Sequence, residues 1–342
     1  MRSWMPTVVA LILCIGGFWY ASSQDFFREQ PEEAEKLLQE VTDDVTSIQI
    51  LNTDGTEPVK LIKEDAGWRM ELPDAYPLNA YSVDDWVTSL DELTIATIAE
   101  EHADELGKYG LLTPMQRYEV ELKDGTKLEL EVGDETPVTG TVYARLGDSN
   151  KVYVLNQSEI HSLQMTALDF AEKDPLVFLA DQVTAIDWNW SGMNIKGART
   201  DESNTENQGT TSGTWRINDT GIELSDMITW LNSVRFQQTD QLPKHIEKLT
   251  DDGVMNTGPA FTLDMTLEKS QSSLESNLQT VRYLGYRDGD TLWVLLEGNV
   301  WAYAVSSAEF DELNVQMTEL LDSAKQAEQQ AEQETGQDDE SQ

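Results

Sequence analysis

Val45-Thr46-Ser47-Ile48-Gln49-Ile50 returns later in the chain as Val183-Thr184-Ala185-Ile186-Asp187-Trp188. Gly67-Trp68-Arg69-Met70 returns in the same way as Gly213-Thr214-Trp215-Arg216-Ile217. An amphipathic segment follows each time, and then paired alternating runs that end in Val152-Tyr153-Val154 and Val300-Trp301-Ala302. Repeats of this length indicate two copies of one domain, not a solenoid. Strands outnumber helices, and the helices sit between strand groups. The predicted class is therefore α+β: a strand-rich domain with one or two helices per copy, built twice in tandem after an N-terminal transmembrane helix.

Working outward from the repeat, Asn52-Thr53-Asp54-Gly55 reads as a hairpin turn between strands at 47–51 and 59–63. Ser82 with Asp85 three residues on resembles a capping box. Trp86, Val87, Leu90 and Leu93 then form one apolar helical stripe, and Met227, Ile228, Leu231 and Val234 repeat its spacing. Tyr118-Glu119-Val120-Glu121-Leu122 alternates, Lys123-Asp124-Gly125-Thr126 turns, and Leu128-Glu129-Leu130-Glu131-Val132 alternates back. That is a hairpin with one buried face and one acidic face. Its counterparts are 261–267 and 281–284, joined by a longer polar loop over 268–280. A further hairpin at 142–146 and 151–155 matches 291–296 and 300–304. The domain boundary falls near Asp174-Pro175, which sets the two domains at 45–174 and 181–322. Residues 200–212 lack any large apolar side chain and read as a mobile insert. The segment 323–342 is rich in Gln, Glu and Asp with no aromatic residue, and reads as a disordered acidic tail.

The chain has 342 residues, 39% of them apolar, which supports two packed domains. Its formal charge is -40. Such a field repels nucleic acid and anionic lipid surfaces, so no nucleic-acid partner is expected. At the N-terminus, residues 4–21 carry no charge and are bracketed by Trp4 and by Trp19-Tyr20. That length just suffices for a bilayer-spanning helix, and the aromatic residues suit its two interfaces. Arg2 precedes the segment and the acidic body follows it, so the expected topology is a single-pass anchor over 1–23 with an extracytoplasmic body. Two other readings of the segment stay open: a signal peptide removed after Ala21-Ser22-Ser23, and a lipoprotein box at Leu11-Ile12-Leu13-Cys14, against which Leu13 is too large. Residues 24–44, with Leu37, Leu38 and Val41 at helical spacing, read as a stalk helix. Cys14 is the only cysteine, so the body has no disulfide and no thiolate site.

No reaction centre is legible. His102, His161 and His245 are far apart and lack paired ligand spacing. There is no Gly-rich phosphate loop and no Gly-x-Ser-x-Gly elbow. Asp124-Gly125, Asp219-Thr220-Gly221 and Asp288-Gly289-Asp290 read as turns before ion ligands, because Asp-Gly serves hairpins for backbone reasons alone. Trp68, Trp188, Trp190, Trp215, Trp293 and Trp301 lie mostly in alternating runs, where aromatic residues fill cores. Trp188 and Trp190 share one side of one strand, so a solvent-facing side there would make a stacking surface for polymer. The expectation is a protein without catalytic residues, metal or cofactor.

Several stretches together resemble a family of bacterial proteins filed as domain of unknown function 4340. They are Gly67-Trp68-Arg69; Lys108-Tyr109-Gly110-Leu111 shortly before Pro114; Leu130-Glu131-Val132-Gly133-Asp134-Glu135-Thr136-Pro137; Val142-Tyr143-Ala144-Arg145; Val152-Tyr153-Val154; and Phe170 ahead of Asp174. The resemblance spans about residues 45–180. In the second copy Gly285-Tyr286-Arg287 stands where Gly133-Asp134-Glu135 stood, and Gly253-Val254-Met255 replaces Tyr109-Gly110-Leu111. The resemblance implies membrane-anchored exported proteins, some beside ABC-type transporters of the gliding-motility auxiliary kind, and implies no catalytic residues. The expected function is thus a non-enzymatic auxiliary component of an envelope complex, with an integral-membrane or envelope protein as partner. Tyr109, Gly110, Leu111, Asp134 and Glu135 are the candidate partner contacts. The alternative is an extracytoplasmic protein that binds cell-envelope polymer, carbohydrate or peptidoglycan.

Overall fold

The computed structural model describes residues 35–38, 44–53, 55–200, 214–268 and 278–339, with side chains to residue 330. The anchor segment 1–23, the insert from 201 to 212 and most of the stalk 24–44 lie outside these residues. Among the described residues no helix is long and apolar enough to cross a membrane.

The described residues form two antiparallel sheets and six α-helices. The first sheet draws on β1 (Val45–Asn52), β2 (Val59–Glu64), β3 (Gly67–Leu72), β4 (Ile95–Glu100), β5 (Gln116–Leu122), β6 (Lys127–Glu135), β7 (Thr141–Leu146) and β8 (Val152–Asn156). Its spatial order is β3-β2-β1-β5-β6-β7-β8-β4. The second draws on β9 (Val183–Trp190), β10 (Met193–Thr200), β11 (Thr214–Ile217), β12 (Thr220–Glu223), β13 (Lys244–His245), β14 (Phe261–Glu268), β15 (Leu278–Asp288), β16 (Thr291–Leu296) and β17 (Trp301–Ser306). Its order is β12-β11-β10-β9-β14-β15-β16-β17-β13. Apart from β12, the two orders correspond strand for strand. In each sheet the strand that follows the long helix crosses to the far edge.

The helices are α1 (Ala80–Asp91), α2 (Gln157–Leu163), α3 (Ala167–Phe170), α4 (Leu224–Arg235), α5 (Ile246–Asp251) and α6 (Ser307–Asp339). α1 buries Val83, Trp86, Val87 and Leu90, the face its apolar spacing requires. Its cap is Asn79, whose side chain accepts from the Tyr81 N–H at 3.1 Å, and not Ser82, which already lies inside the helix. α4 buries Met227, Trp230, Leu231 and Val234. Trp230 completes this stripe, and Ile228 is only partly buried. α6 continues to Asp339, where a disordered tail from 323 was expected. The segment's Gln, Glu, Ala and Lys are strong helix formers, and Leu320, Leu321 and Ala324 still pack on the core. Farther on, Glu328 Oε1 accepts from the Gly221 N–H at 3.0 Å.

The chain divides into two compact units. One comprises the described residues up to Asp44 together with Val87–Arg117 and Leu128–Leu163; the other comprises Val45–Trp86, Tyr118–Lys127 and everything from Gln164 on. Within the second unit an aromatic cluster forms the heart of the core. Trp188 stacks on Phe310 at 5.4 Å, meets Phe261 edge-on at 4.8 Å and meets Trp230 edge-on at 5.5 Å. The Trp188 indole N–H donates to Asn314 Oδ1 at 2.9 Å, and Asn314 donates in turn to the Trp190 carbonyl at 3.2 Å. The indole thereby buries a large apolar area without leaving its N–H unpaired. Trp68 and Trp215 hold matching positions, on β3 and β11. Trp215 is buried, whereas Trp68 is half-buried on an edge strand with Lys63 Nζ 5.4 Å from its ring. The added strand β12 pairs with β11 and removes that edge from the second sheet.

Candidate functional site

The two stretches that carry the predicted contact residues meet in the first unit. Leu106–Tyr109 forms a 3-10 turn that ends at Gly110, whose left-handed conformation (φ 71°) suits glycine. A Cβ on Gly110 would lie 2.6 Å from the Asp134 backbone nitrogen. A Cβ on Gly133 would run into the Tyr109 carbonyl oxygen and stand 3.1 Å from Leu111 Cγ. Each glycine is thus the clearance through which the other stretch passes. The ladder between β6 and β7 shifts register between Val132 and Glu135, so Gly133 and Asp134 sit in a β-bulge. The bulge releases the strand edge just where the 3-10 turn lies.

The interlock is anchored from below and open above. Leu111 is buried with Ala103 and Val152, and Leu106, Tyr109 and Tyr143 pack around them. The Tyr109 and Tyr143 rings meet edge-on at 4.9 Å. The Tyr109 hydroxyl donates to the Glu100 carboxylate, which together with burial and the Glu100 charge raises the phenol above its ordinary range. Asp134 and Glu135 are exposed, and Glu135 Oε1 accepts from Gln157 at 3.0 Å. Leu112, 74% exposed, and Met115, 45% exposed, follow Leu111 on the surface. The site therefore offers acidic oxygens and apolar side chains on a tied-down loop. It brings Tyr109, Gly110, Leu111 and Asp134 together, with Glu135 adjoining.

The outer face of β6 differs from the uniformly solvated acidic face expected of it. Glu131 is buried. Arg117 Nη2 reaches its Oε1 at 2.6 Å, and Arg145 Nε donates to its Oε2. Arg117 Nε also lies 2.9 Å from Glu129 Oε1. Two guanidiniums therefore supply the hydrogen bonds that a desolvated carboxylate needs. Sequence alternation placed Glu131 on the outer face and missed its burial. The available signal was Arg145 opposite it in the next strand.

The second sheet lacks both features. β15 pairs Leu284 with Leu295 where β6 pairs Glu131 with Arg145, and Gly285 with Val294 where Val132 pairs with Ala144. Gly285 thus corresponds to Val132 and not to Gly133, a one-residue correction to the sequence alignment. No register shift interrupts β15 opposite β16, so the bulge is confined to the first sheet. The 3-10 turn Val254–Thr257 ends at Gly258, which makes Gly258, and not Val254, the counterpart of Gly110. Ala260 N–H bonds the Gly285 carbonyl as Met115 N–H bonds that of Val132. Residues 111–114 therefore shrink to Pro259 alone.

The other candidates fall elsewhere. His102 and His161 are exposed, and His245 caps α5, its Nδ1 accepting from Glu247 N–H at 3.3 Å. Among the described residues no group of three or more His, Cys, Asp or Glu side chains is arranged to hold a metal ion. Asp124 holds its turn by accepting from the Thr126 N–H at 2.8 Å, which with the Thr126 side chain lowers its pKa. Asn218 and Asp219 both have positive φ, the signature of a tight hairpin turn between β11 and β12. Trp188, Trp190, Trp215 and Trp293 are buried; the shared side of Trp188 and Trp190 faces Phe310 rather than solvent.

A family profile described as a domain of unknown function (DUF4340) matches residues 68–246, more than half of the 342-residue chain. The chain belongs to that family. The match runs from β3 through β13, farther into the second sheet than the stretches quoted above. No curated protein and no solved structure matches the chain.

Proposed function

We propose that this chain is a non-enzymatic, membrane-anchored exported protein that serves as an interaction component of an envelope complex, with an ABC-type transporter as the partner. The observation that carries this reading is the interlock of Gly110 with Asp134 and of Gly133 with Tyr109. It holds acidic and apolar groups rigidly at the surface, which is what a recognition loop on a scaffold requires. The second sheet, with Leu284 and Leu295 in place of the ion pair and no bulge, serves as a partner module. The matching strand orders support descent of both sheets from one duplicated domain. The charge-free segment 4–21 behind Arg2 supports a single-pass anchor with the body outside the cytoplasm.

The test is co-purification after mild detergent extraction. Wild-type protein should retain an integral-membrane partner, and Asp134→Ala/Glu135→Ala should lose it. The exposed carboxylates contribute little to folding, so the variant should keep its stability within about 0.5 kcal/mol. Unchanged recovery from the variant dismisses the loop as the contact. Protease added to intact protoplasts should remove the body, and resistance refutes the orientation.

A further inference from the structure

The chain enters the first unit through a clamp. Ile95 N–H donates to the Glu35 carbonyl and Leu37 N–H to the Leu93 carbonyl, each at 2.8 Å, so Lys36 pairs with Thr94 in a short antiparallel bridge at the start of β4. Leu37 and Leu38 are buried there, where their spacing suggested one face of a stalk helix. Lys36 Nζ lies 3.0 Å from Oδ2 of Asp91, a buried carboxylate that needs a compensating charge. The start of β4 is held in turn by α2, since Glu159 accepts from the Thr94 N–H at 2.8 Å and from the Thr94 hydroxyl at 2.7 Å.

The clamp moves the point at which the chain is fixed. By sequence the body begins with β1 at Val45, which leaves the twenty-one residues 24–44 between it and the membrane segment. With Glu35 fixed on β4, only the eleven residues 24–34 remain. Eleven residues reach at most ~40 Å at full stretch, against ~75 Å for twenty-one. From Ile95 the strand runs ~17 Å to Glu100, whose carboxylate accepts from the Tyr109 hydroxyl. One continuous strand therefore joins the membrane tether to the interlock of Gly110 with Asp134.

From this we propose that the clamp presents the Tyr109–Asp134 loop on the membrane-facing side of the first unit, where its occupant is a basic extracytoplasmic loop between membrane spans of the partner. The inference rests on the anchored reading above and adds where the partner is met. Tether and strand together keep the loop within ~60 Å of the bilayer. Effective concentration is highest where the span matches the r.m.s. length of a tether, ~20 Å for eleven flexible residues, and vanishes beyond full stretch. A site close to the bilayer is thus favoured over a partner domain that stands away from it. Asp104, Asp134 and Glu135 are exposed and repel an anionic lipid surface, so the occupant is protein carrying Lys or Arg.

Full-length protein with Cys14→Ser/Asp104→Cys carries a single donor dye on the first unit and is reconstituted in phosphatidylcholine vesicles doped with an acceptor-labelled lipid. Flotation with the vesicles tests the anchor by itself; protein left in solution refutes the anchor, and this inference with it. In floated protein the donor should transfer to the lipid, as a separation under ~60 Å requires. Leu37→Asp/Leu38→Asp puts charge where the clamp buries two leucines. It should lengthen the r.m.s. tether about 1.4-fold, seen as a loss of transfer. Equal transfer with and without the clamp overturns the proposal. Unchanged protection of the Leu111 and Met115 amides shows that the loop is intact in that variant; if protection falls, a second variant decides alone. Deleting residues 28–33 leaves the clamp untouched and cuts the full reach of the tether to ~18 Å. It should still retain the integral-membrane partner that wild type retains after mild detergent extraction. A wild type without a partner refutes the function proposed above, whereas a partner lost only on deletion places the contact away from the bilayer and overturns this inference alone.

Discussion

Gly133→Ala should loosen the 3-10 turn from β6. The new methyl would meet the Tyr109 carbonyl oxygen, a backbone atom that cannot rotate away, and Leu111 Cγ at 3.1 Å. Two responses compete. The site can absorb the clash as strain, which for overpacked interiors costs about 1–3 kcal/mol. Otherwise the turn can lift off, which exposes Leu111 at about 1.5–3 kcal/mol. Lifting also separates the Tyr109 and Tyr143 rings, at about 0.5–1.5 kcal/mol. The cheaper route sets the outcome, and lifting off costs more than the strain, so the expected loss of local stability is about 1–3 kcal/mol. The readout is hydrogen exchange of Leu111 N–H, bonded to the Leu106 carbonyl at 3.1 Å, and of Met115 N–H, bonded to the Val132 carbonyl at 2.9 Å. Their protection should fall by roughly five- to one-hundred-and-fortyfold, at 1.4 kcal/mol per decade. Gly107→Ala is the internal control. Its methyl would meet only the end of the exposed Leu112 side chain at 3.0 Å, which can swing aside. The lower chain entropy of Ala should leave that variant neutral or more stable by about 0.4–1 kcal/mol. Equal protection in Gly133→Ala and wild type would refute the interlock, and with it the reason for both glycines.

Glu131→Ala should cost about 3 kcal/mol, the lower end for breaking a buried pair because Arg117 is partly solvated, as read by urea denaturation. Glu131→Leu/Arg145→Leu, which copies Leu284 and Leu295, should instead be neutral or stabilising; a large loss in the double variant would show that the ion pair is structurally required. Asn314→Ala should cost about 1–3 kcal/mol, because it leaves the buried Trp188 indole N–H unpaired, and Trp188→Phe in that background should recover part of the loss in thermal melts. At alkaline pH, burial, with Glu172 and Asp174 nearby, pushes the Tyr303 phenol up to about 12. Its contribution to stability is therefore complete below about 10 and lost as pH rises toward 12, which absorbance titration of phenolate alongside unfolding tests. At the acid end Lys248 holds the Asp74 carboxyl below its usual range, so that pair stabilises above about pH 4 and is lost as pH falls; Lys248→Ala should flatten that limb by at most about 1 kcal/mol, since both side chains are largely exposed.

The local elements were legible because each rests on neighbours in sequence. Alternation at Tyr118–Leu122 and around Asp124-Gly125 sets a hairpin whatever the rest of the chain does. The stripe Trp86, Val87 and Leu90 likewise marks α1, with Leu93 just past its end and Val83 added by the structure, and the recurrence of Val45–Ile50 at Val183–Trp188 announced two similar sheets. β4 was invisible, because an edge strand with one half-buried residue followed by five exposed ones has no amphipathic alternation to read. Its place beside β8, and that of β13 beside β17, depends on long-range pairing. The same limit governs the candidate site. Sequence supplied Tyr109-Gly110-Leu111 and Gly133-Asp134-Glu135 as two separate motifs. Only the tertiary structure shows that a bulge in β6 lets them interlock, that Glu131 lies desolvated between two arginines, and that Glu35 and Leu37 clamp the chain to the start of β4. Local preference selects each element from its own residues, whereas clearance, burial and charge pairing belong to atoms that the folded chain alone brings within a few ångströms of one another.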